Sequence, residues 1–371
     1  MIACSGHVLN MMRKNRIHHI TPLRDAMSDL STRKDEHIDL AKQDAALAQI
    51  PNSLDHVRLT HQALPECDAD QIDASIRFLG MPLDAPIMIS GMTGGSPRGD
   101  AINGVLAELA NTHKLAFGVG SQRASLNQKN SQSGLRGIAS DIPLIGNLGA
   151  AQLIEHGDDG GIDLARRAID DLEPNALAIH LNPLQELVQP EGDRNWYGVK
   201  DMLATLVKQA GIPIIIKEVG AGLSVKTISE LRDIGITCFD IAGLGGTNWT
   251  RIENSRTDQT RQDIMEPFMD WGIPTCSALQ DAHNAVHDIQ LIGSGGVRHG
   301  LDVARCLWLG ADIAAAAGPF IKAVELADGK LSPDRLNDVL GIWKQQIKVA
   351  MFLTGSKHIK ALKQADGVIT A

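Results

Sequence analysis

Aromatic side chains are scarce in this chain: Phe, Trp and Tyr together make up 3% of its 371 residues. Proteins that bind single-stranded nucleic acid stack its bases on such side chains, so this composition argues against that function. The formal net charge of −9 also opposes unspecific attraction to phosphate polymers or to anionic lipid. We therefore expect neither a nucleic-acid partner nor a membrane partner, and any anionic ligand must be held by a local cluster of cations.

Cysteine is equally sparse, and the residues present do not form a motif. The five cysteines are odd in number, widely scattered and never spaced as CxxC: Cys4, Cys67, Cys238, Cys276 and Cys306. This pattern excludes a disulfide framework and a zinc site of the usual spacing, and it is typical of reduced thiols. No apolar run approaches the roughly 18 residues that a membrane span needs, and none follows the early basic residues as in a secretory signal. We expect a cytoplasmic protein.

Several catalytic motifs are also missing. The sequence contains no GxSxG, no HExxH and no GxxxxGK[ST], so hydrolases and nucleoside triphosphatases of the common types lack their parts here. The first predicted strand is followed by MTGG rather than GxGxxG, which argues against a doubly wound dinucleotide-binding sheet.

What the chain does have is a regular alternation of apolar runs and amphipathic helices. This alternation predicts an α/β fold, a (β/α)8 TIM barrel with a core at about residues 85–325. The eight predicted strands are 87–90, 116–119, 144–147, 176–181, 213–217, 238–241, 289–293 and 312–316.

Helices are also predicted before and after the barrel along the chain. A capping residue at Ser31 predicts an N-terminal helical extension that ends at Pro51, and residues 72–83 predict a β-ribbon turned at Gly80. The apolar stripe of 335–352 predicts a C-terminal helix, either a brace or part of a subunit interface. Residues 31–371 are then one domain, preceded by a 1–30 extension that need not be ordered. We interpret 1–26 as dispensable, with Met27 as an alternative start.

Two glycine-rich turns predict a phosphate site. GSGGVR at 293–298 follows the seventh strand and precedes a helix, while AAGP at 316–319 follows the eighth. Glycines expose backbone N–H groups to a phosphate, and the loops after strands 7 and 8 bind phosphate in many such barrels. The alternative is a pair of tight turns without a ligand.

Polar residues at the ends of other strands predict the remainder of a site. Within HLNPLQE at 180–186, Glu186 could bind Mg²⁺ or be an acid at a helix N-terminus, and His180 could be an acid–base group or a hydrogen-bonded core residue. Lys217 could stabilise an anionic ring, or it could pair with Glu218 or another acid at a strand end. Further candidates are Ser121 and Asn147 for hydrogen bonds and Arg33, Lys34 and Arg123 for phosphate.

Taken together, these motifs resemble the type 2 isopentenyl diphosphate isomerases, which are FMN enzymes of isoprenoid biosynthesis. The resemblance covers about residues 31–325. It rests on RKDEH (33–37), GMTGG (91–95), GSQRAS (120–125), GNLGA (146–150), HLNPLQE (180–186), GDRNWYG (192–198), KEVG (217–220), GLGGTNW (243–249), GSGGVR (293–298) and AAGPF (316–320).

The resemblance implies residue roles. FMN would contact Gly91, Met92, Thr93, Ser121, Asn147, Lys217, Thr247, Gly295, Gly296, Val297, Ala317 and Gly318. The diphosphate substrate would contact Arg33, Lys34, Arg123, His180, Asn182 and Gln185, and Glu186 would bind Mg²⁺. Reduced flavin itself would exchange the proton near its N5 atom, with His180 and Gln185 in support.

The resemblance also implies partners and one departure. NAD(P)H would serve only to reduce the flavin beforehand, and members assemble as homo-oligomers, namely tetramers or octamers. Ala242 stands where many members have serine, so one hydrogen bond to the flavin phosphate is missing or is supplied by Thr247.

Two other functions fit part of the pattern. An FMN-dependent 2-hydroxy acid oxidase on the same barrel would use His299 as a base and Arg298 for the carboxylate, but RKDEH and HLNPLQE would then have no role. A noncatalytic flavin- or phosphate-binding barrel would bind the cofactor without turnover.

Overall fold

The fold is built around eight parallel strands that close into a barrel. The computed structural model describes residues 23–127 and 132–370. Twelve strands are present in this part of the chain: β1 (Val57–Leu59), β2 (Ile76–Phe78), β3 (Met81–Leu83), β4 (Ile87–Ile89), β5 (Ala116–Gly118), β6 (Leu144–Gly149), β7 (Ala176–His180), β8 (Ile214–Lys217), β9 (Cys238–Asp240), β10 (Gln290–Ser294), β11 (Ile313–Ala316) and β12 (Gly367–Ile369). The barrel order is β10-β11-β4-β5-β6-β7-β8-β9, and the predicted strands match β4 to β11 within two residues at each end.

Helices surround the barrel. They are α1 (Leu23–Ala41), α2 (Pro97–Thr112), α3 (Leu135–Ile138), α4 (Ala150–Glu155), α5 (Gly157–Leu172), α6 (Pro183–Val188), α7 (Val199–Gln209), α8 (Val225–Arg232), α9 (Trp249–Asn254), α10 (Gln259–Met265), α11 (Thr275–Ala285), α12 (Gly300–Trp308), α13 (Gly318–Val324), α14 (Pro333–Leu353) and α15 (Ile359–Leu362). This arrangement confirms the predicted TIM barrel. None of these described helices combines the length and the apolar character that crossing a bilayer requires.

Strand residues alternate between two sides of the barrel wall, as the two-residue period of a strand requires. Ile215 and Cys238 belong to a compact cluster inside the barrel, whereas Ile216 and Phe239 belong to the larger core between strands and helices. The ribbon β2–β3 adds Phe78 to the inner cluster. It lies beside the N-terminal ends of the strands, so it closes that end and leaves the opposite end for a site.

The first helix differs from its prediction at both ends. It begins at Leu23 rather than after Ser31, and it ends at Ala41 rather than at Pro51. The predicted boundary of the 1–30 extension therefore lies within a helix, while residues 1–22 lie outside the described residues. The helix ends early because tertiary hydrogen bonds replace helical ones: the Ala46 carbonyl accepts from the Asn248 N–H (2.7 Å), and the Ala48 N–H donates to Gly246 (2.9 Å).

The C-terminal part of the chain braces the barrel. α14 buries Leu336, Leu340, Trp343 and Ile347, with the Trp343 ring 4.7 Å from that of Phe320. This contact supports the brace interpretation of the predicted stripe. Beyond α14, β12 pairs antiparallel with β1, a pairing that no sequence pattern indicated. The connector that holds β1 is therefore tied to the far end of the chain.

Candidate active site

A cavity of about 450 Å³ opens at the C-terminal ends of the barrel strands. Its lining combines all of the predicted substrate and metal residues with nearly all of the predicted cofactor residues. These are Arg33, Lys34, Arg123, His180, Asn182, Gln185 and Glu186, together with Gly91, Met92, Ser121, Asn147, Lys217, Thr247, Gly295, Gly296, Val297, Ala317 and Gly318. Residues from α1 and from the strand-end loops thus meet in one place.

Thr93 is the predicted residue that does not line this cavity. Its side chain is 2% exposed, and its backbone carbonyl accepts hydrogen bonds from the Gly120 N–H and the Asn103 amide, both at 3.0 Å. It holds the loop after β4 against the loop after β5. Gly91 and Met92 of the same loop are the ones that face the cavity.

One end of the cavity is formed by closely packed glycine backbone. Gly295 and Gly296 adopt φ angles of +98° and +78°, which side chains disfavour. A Cβ at Gly295 would lie 2.0 Å from the Gly243 carbonyl oxygen, and one at Gly296 would lie 2.6 Å from that of Gly245. The Asn52 amide donates to the Gly296 carbonyl at 2.6 Å and fixes the turn. Such a turn ahead of a helix suits a phosphate group.

Ala242 lies beside this turn in a left-handed conformation, with φ +41°. Its N–H donates to the Ser294 hydroxyl at 2.8 Å, so that N–H is already paired within the protein. The Thr247 hydroxyl lies at the same end of the cavity, 3.5 Å from where a Cβ of Gly318 would be. Thr247 is therefore placed where it could supply the hydrogen bond that alanine lacks.

The other end of the cavity carries cations. Arg33 and Lys34 come from α1 and Arg123 from the loop after β5. Burial and the charges of Arg33 and Arg123 lower the pKa of Lys34 to about 8. The Arg33 Nε is buried and, among the described residues, has no hydrogen-bond partner. Within a chain of net charge −9, this cluster concentrates positive charge of the kind that suits a multiply charged anion.

His180 is a neutral side chain at the end of β7. Asn147 donates its amide N–H to the Val119 carbonyl (3.1 Å), so its amide oxygen accepts from the His180 Nδ1–H (2.9 Å). Burial, together with the charges of Lys217 and Lys34, lowers the pKa of His180 to about 3. The ring is therefore uncharged at neutral pH, and its Nε2 is an acceptor.

Glu186 lies on α6 with Asn182 just before the helix. The Asn182 amide donates to one Glu186 oxygen (2.9 Å), and the Asp193 N–H donates to the other (2.9 Å). Burial raises the pKa of Glu186, so a nearby cation would favour its charged form. Among the described residues, no group of three His, Cys, Asp or Glu side chains is arranged to hold a metal. A metal here would need substrate or water ligands as well.

Among the residues that were not predicted for the site, His37 from α1 and Trp249 from α9 line the cavity, and Glu253 from α9 contacts His37. The rings of His37 and Trp249 meet edge to face, 5.4 Å apart. The fully buried Glu253 lies 3.0 Å from His37 and accepts from the Gln185 amide at 3.4 Å. His37 belongs to the RKDEH motif, so the motif offered a signal for it, whereas the link to α9 depends on the fold.

Lys217 does not form the predicted alternative ion pair with the side chain of Glu218. One Glu218 carboxylate oxygen accepts backbone N–H bonds from Val219, Gly220 and Gly222 at 2.7–3.1 Å, and a further one from Ala221. The Lys217 ammonium donates to the Glu218 backbone carbonyl at 2.7 Å. This buried ammonium lines the same cavity as the glycine turns and the cationic cluster.

The histidine and arginine of the oxidase alternative do not act together in this cavity. His299 caps α12, accepting the Asp302 N–H at its Nδ1 (3.2 Å), and it lines a groove beside α14 on the outside of the barrel. Arg298 lines the cavity but is held by Asp302 and Asp55. His299 is therefore not placed to act as a base on a ligand in the cavity.

Some known proteins are similar to this chain in sequence, and others are similar in fold. A family model described as FMN-dependent dehydrogenase matches residues 180–368. An isopentenyl-diphosphate delta-isomerase of Xanthobacter autotrophicus is 42% identical over 91% of this chain and 97% of its own length. That of Cronobacter sakazakii is 43% identical over 91% of this chain and 96% of its own.

Among solved structures, a mandelate oxidase with a monooxide FMN adduct has a TM-score of 0.62 at 16% identity and covers 90% of this chain and 92% of its own. A mandelate oxidase with benzoyl-formic acid has a TM-score of 0.62 at 14% identity, covering 94% and 98%. Identities this low show a shared fold alone.

Proposed function

The chain belongs to the family of isopentenyl-diphosphate delta-isomerases, and from this we propose how its cavity performs that reaction. The enzyme is an isomerase of isoprenoid biosynthesis, and its cofactor is FMN. The observation that carries the mechanism is that glycine turns, a cluster of cations and the buried Lys217 line one cavity.

The glycine end fits the FMN phosphate. The turns at Gly295 and Gly318 carry no side chain, a Cβ at Gly295 would collide with the Gly243 carbonyl oxygen, and the Ser121 hydroxyl is buried without a partner among the described residues. Asn147 and Lys217 line the same cavity and would contact the flavin ring. We propose that Gly91, Met92, Thr247, Gly296, Val297 and Ala317 complete the cofactor contacts, with Thr93 supporting them from behind.

The cationic end fits the substrate diphosphate. Arg33, Lys34 and Arg123 supply charge there, and the buried Arg33 Nε–H is a donor that lacks a partner in the part of the chain that the structure describes. Because these groups bind the non-reacting end of the substrate, their binding energy holds the small alkenyl tail in position.

Moving the double bond requires a proton at one carbon and the loss of a proton from another. Reduced FMN, when bound, would supply the acid–base group for this exchange. Lys217 would stabilise negative charge on the flavin ring. His180 and Gln185 would contact the substrate, and His180, being neutral, is not a source of protons as an imidazolium at neutral pH.

We also propose that Glu186 binds Mg²⁺ through one carboxylate oxygen, with diphosphate oxygens and waters as the other ligands. Its raised pKa supports this role because a divalent cation would offset the cost of burying the carboxylate charge. NAD(P)H, in this proposal, reduces the flavin before the first turnover and is not consumed in each cycle.

Three further properties remain proposals. Residues 31–371 form a single FMN-binding domain with 1–30 as an extension. A homo-oligomer, tetrameric or octameric, is supported by apolar side chains exposed along α14 and α12: Leu301, Ile342, Val349 and Leu353. A cytoplasmic location is supported by the free thiols of Cys67, Cys238, Cys276 and Cys306.

A single labelling experiment tests this function. The purified protein is loaded with FMN, reduced without oxygen, and given isopentenyl diphosphate and Mg²⁺ in D₂O. We expect deuterium in the dimethylallyl diphosphate formed, with no net oxidation of the flavin. The same protein with oxidised flavin is the control and should be inactive.

The alternatives predict different outcomes. Flavin reduction by a 2-hydroxy acid would favour the oxidase, and FMN binding without any turnover would favour a noncatalytic barrel. A protein that takes up no FMN would contradict the assignment of the cavity.

A further inference from the structure

A buried carboxylate lies beneath the cofactor side of the cavity, and the mechanism above does not use it. Asp240 ends β9 and is 1% exposed. It is directly level with Lys217 of the neighbouring strand β8. Two residues earlier, Ile215 and Cys238 point into the barrel interior, so the strand period points Lys217 and Asp240 inward as well.

Asp240 is held in place by a chain of hydrogen bonds from the glycine end of the cavity. The Ser294 hydroxyl donates to the Asp240 carboxylate, and the Ala242 N–H donates to the Ser294 oxygen. Both Lys217 and Asp240 line one small void inside the barrel, and Lys217 also lines the cavity above. The two residues therefore share a buried environment.

The other ionisable groups around Lys217 balance its charge only in part. The Glu218 carboxylate interacts with the Lys217 charge, but its oxygen accepts from four backbone N–H groups and does not pair with the ammonium. His180, level with Lys217 on the other side, has its pKa lowered to about 3 and is uncharged. Burial raises the pKa of Asp240, whereas the Lys217 charge favours its ionised form. An unbalanced buried ammonium would be costly.

We propose that Asp240 is the counter-ion of Lys217, and that its negative charge beneath the ring site limits how strongly the protein stabilises reduced FMN. This inference rests on FMN binding as described above. Asp240 is a positioning residue in this sense: it acts through Lys217 and does not touch the substrate. By offsetting part of the positive charge of Lys217, Asp240 would keep the proton affinity of the reduced ring high enough for proton exchange.

The test compares two variants that separate charge from hydrogen bonding. Asp240→Asn keeps the shape and an oxygen that can accept from Ser294, but it removes the charge. Ser294→Ala keeps the charge and removes the hydrogen bond. The midpoint potential of bound FMN is measured by spectroelectrochemical titration, and FMN affinity is measured by flavin fluorescence.

We expect Asp240→Asn to shift the reduction equilibrium of bound FMN at least tenfold toward the reduced form, which is about 30 mV for this two-electron couple. Ser294→Ala should shift it less than threefold. A potential that is unchanged or lower in Asp240→Asn would overturn the proposal. Equal shifts in both variants would also overturn it, because the effect would then come from the hydrogen-bond network.

A folding measurement covers the case in which Asp240→Asn does not accumulate. Removing both members of a buried pair is tolerated far better than removing one. The Lys217→Met, Asp240→Asn double variant should therefore melt at a higher temperature than Asp240→Asn alone in the absence of FMN. A double variant no more stable than the single one would contradict the pairing. Wild-type protein that fails to bind FMN or to isomerise substrate would instead refute the proposed function.

Discussion

In the proposed function, the two ends of the cavity recognise charged groups by different means. The glycine end uses backbone from neighbouring strand ends of one rigid barrel, and its specificity depends on the absence of side chains at Gly295 and Gly296. The cationic end uses long side chains from separate elements, with Arg33 and Lys34 on α1 and Arg123 after β5. A backbone site is broken by added atoms, whereas a side-chain site is broken by lost charge.

The strongest test of this difference adds one methyl group. Gly295→Ala would place a Cβ 2.0 Å from the Gly243 carbonyl oxygen at a φ of +98°, so the turn must move. We expect FMN affinity to fall by about 100-fold or more, equivalent to about 2.8 kcal/mol, as measured by fluorescence titration.

A second glycine gives the control. Gly104 lies within α2 with nothing within 4 Å of an added Cβ. Gly104→Ala should keep wild-type FMN affinity and raise unfolding free energy by roughly 0.5–1 kcal/mol. Equal FMN affinity in both variants would mean that Gly295 is not part of a phosphate site.

Removing a charge near the cationic end should lower turnover without lowering FMN affinity. Glu186→Gln removes the proposed metal ligand without altering shape, so we expect turnover to fall on the order of 100-fold, the upper end for loss of a metal-site partner. FMN affinity should not change. Glu230→Gln, at a half-exposed site on α8 outside the cavity lining, is the matched control. Full activity of Glu186→Gln at low Mg²⁺ would exclude the metal role.

The pH dependence of substrate capture sharpens the comparison further. The pKa of Lys34 is lowered to about 8, so its positive charge is present below that pH and is lost as the pH rises through it. We expect kcat/KM for isopentenyl diphosphate to fall by about tenfold above pH 8, consistent with loss of a charge-assisted hydrogen bond of roughly 1.5 kcal/mol.

Arginine does not titrate in this range. Lys34→Arg should therefore remove the alkaline fall in kcat/KM, while FMN affinity stays flat across the same pH range in both proteins. A fall that persists in the arginine variant would assign it to another group.

The smallest effect is expected outside the cavity. His299→Ala removes a helix cap on α12, so it should cost ~1 kcal/mol of stability, as seen by thermal unfolding. Isomerase activity should stay within about twofold, because loss of a cap acts on folding rather than on the transition state. Loss of activity in folded, FMN-loaded His299→Ala would bring the oxidase alternative back.

The barrel was predictable because each of its strands carries its own signal. Buried parallel strands are short, continuous apolar runs, and the polar residues after them mark the end that bears the site. Those local features located β4 to β11 and most of the cavity lining. The resemblance then assigned roles, such as that of Lys217, which its position alone left open.

What escaped prediction depends on contacts between distant segments. The end of α1 is set by hydrogen bonds to residues 246 and 248, and the place of Glu253 by packing of α9 against α1 and α6. The burial of Thr93 depends on how the loops after β4 and β5 meet. Three-residue strands such as β1 and β12 are too short to show a period. None of these contacts leaves a local pattern.

The pairing of β1 with β12 has a consequence for the order of folding. It joins the two strands that are farthest apart in the described chain, so closing it carries a large entropic cost and we expect it to form late. Asn52, whose amide donates a hydrogen bond to the Gly296 carbonyl, lies five residues before the start of β1 at Val57. The cradle for the cofactor phosphate would therefore be completed only when the whole chain has come together, so that FMN uptake reports on the finished fold.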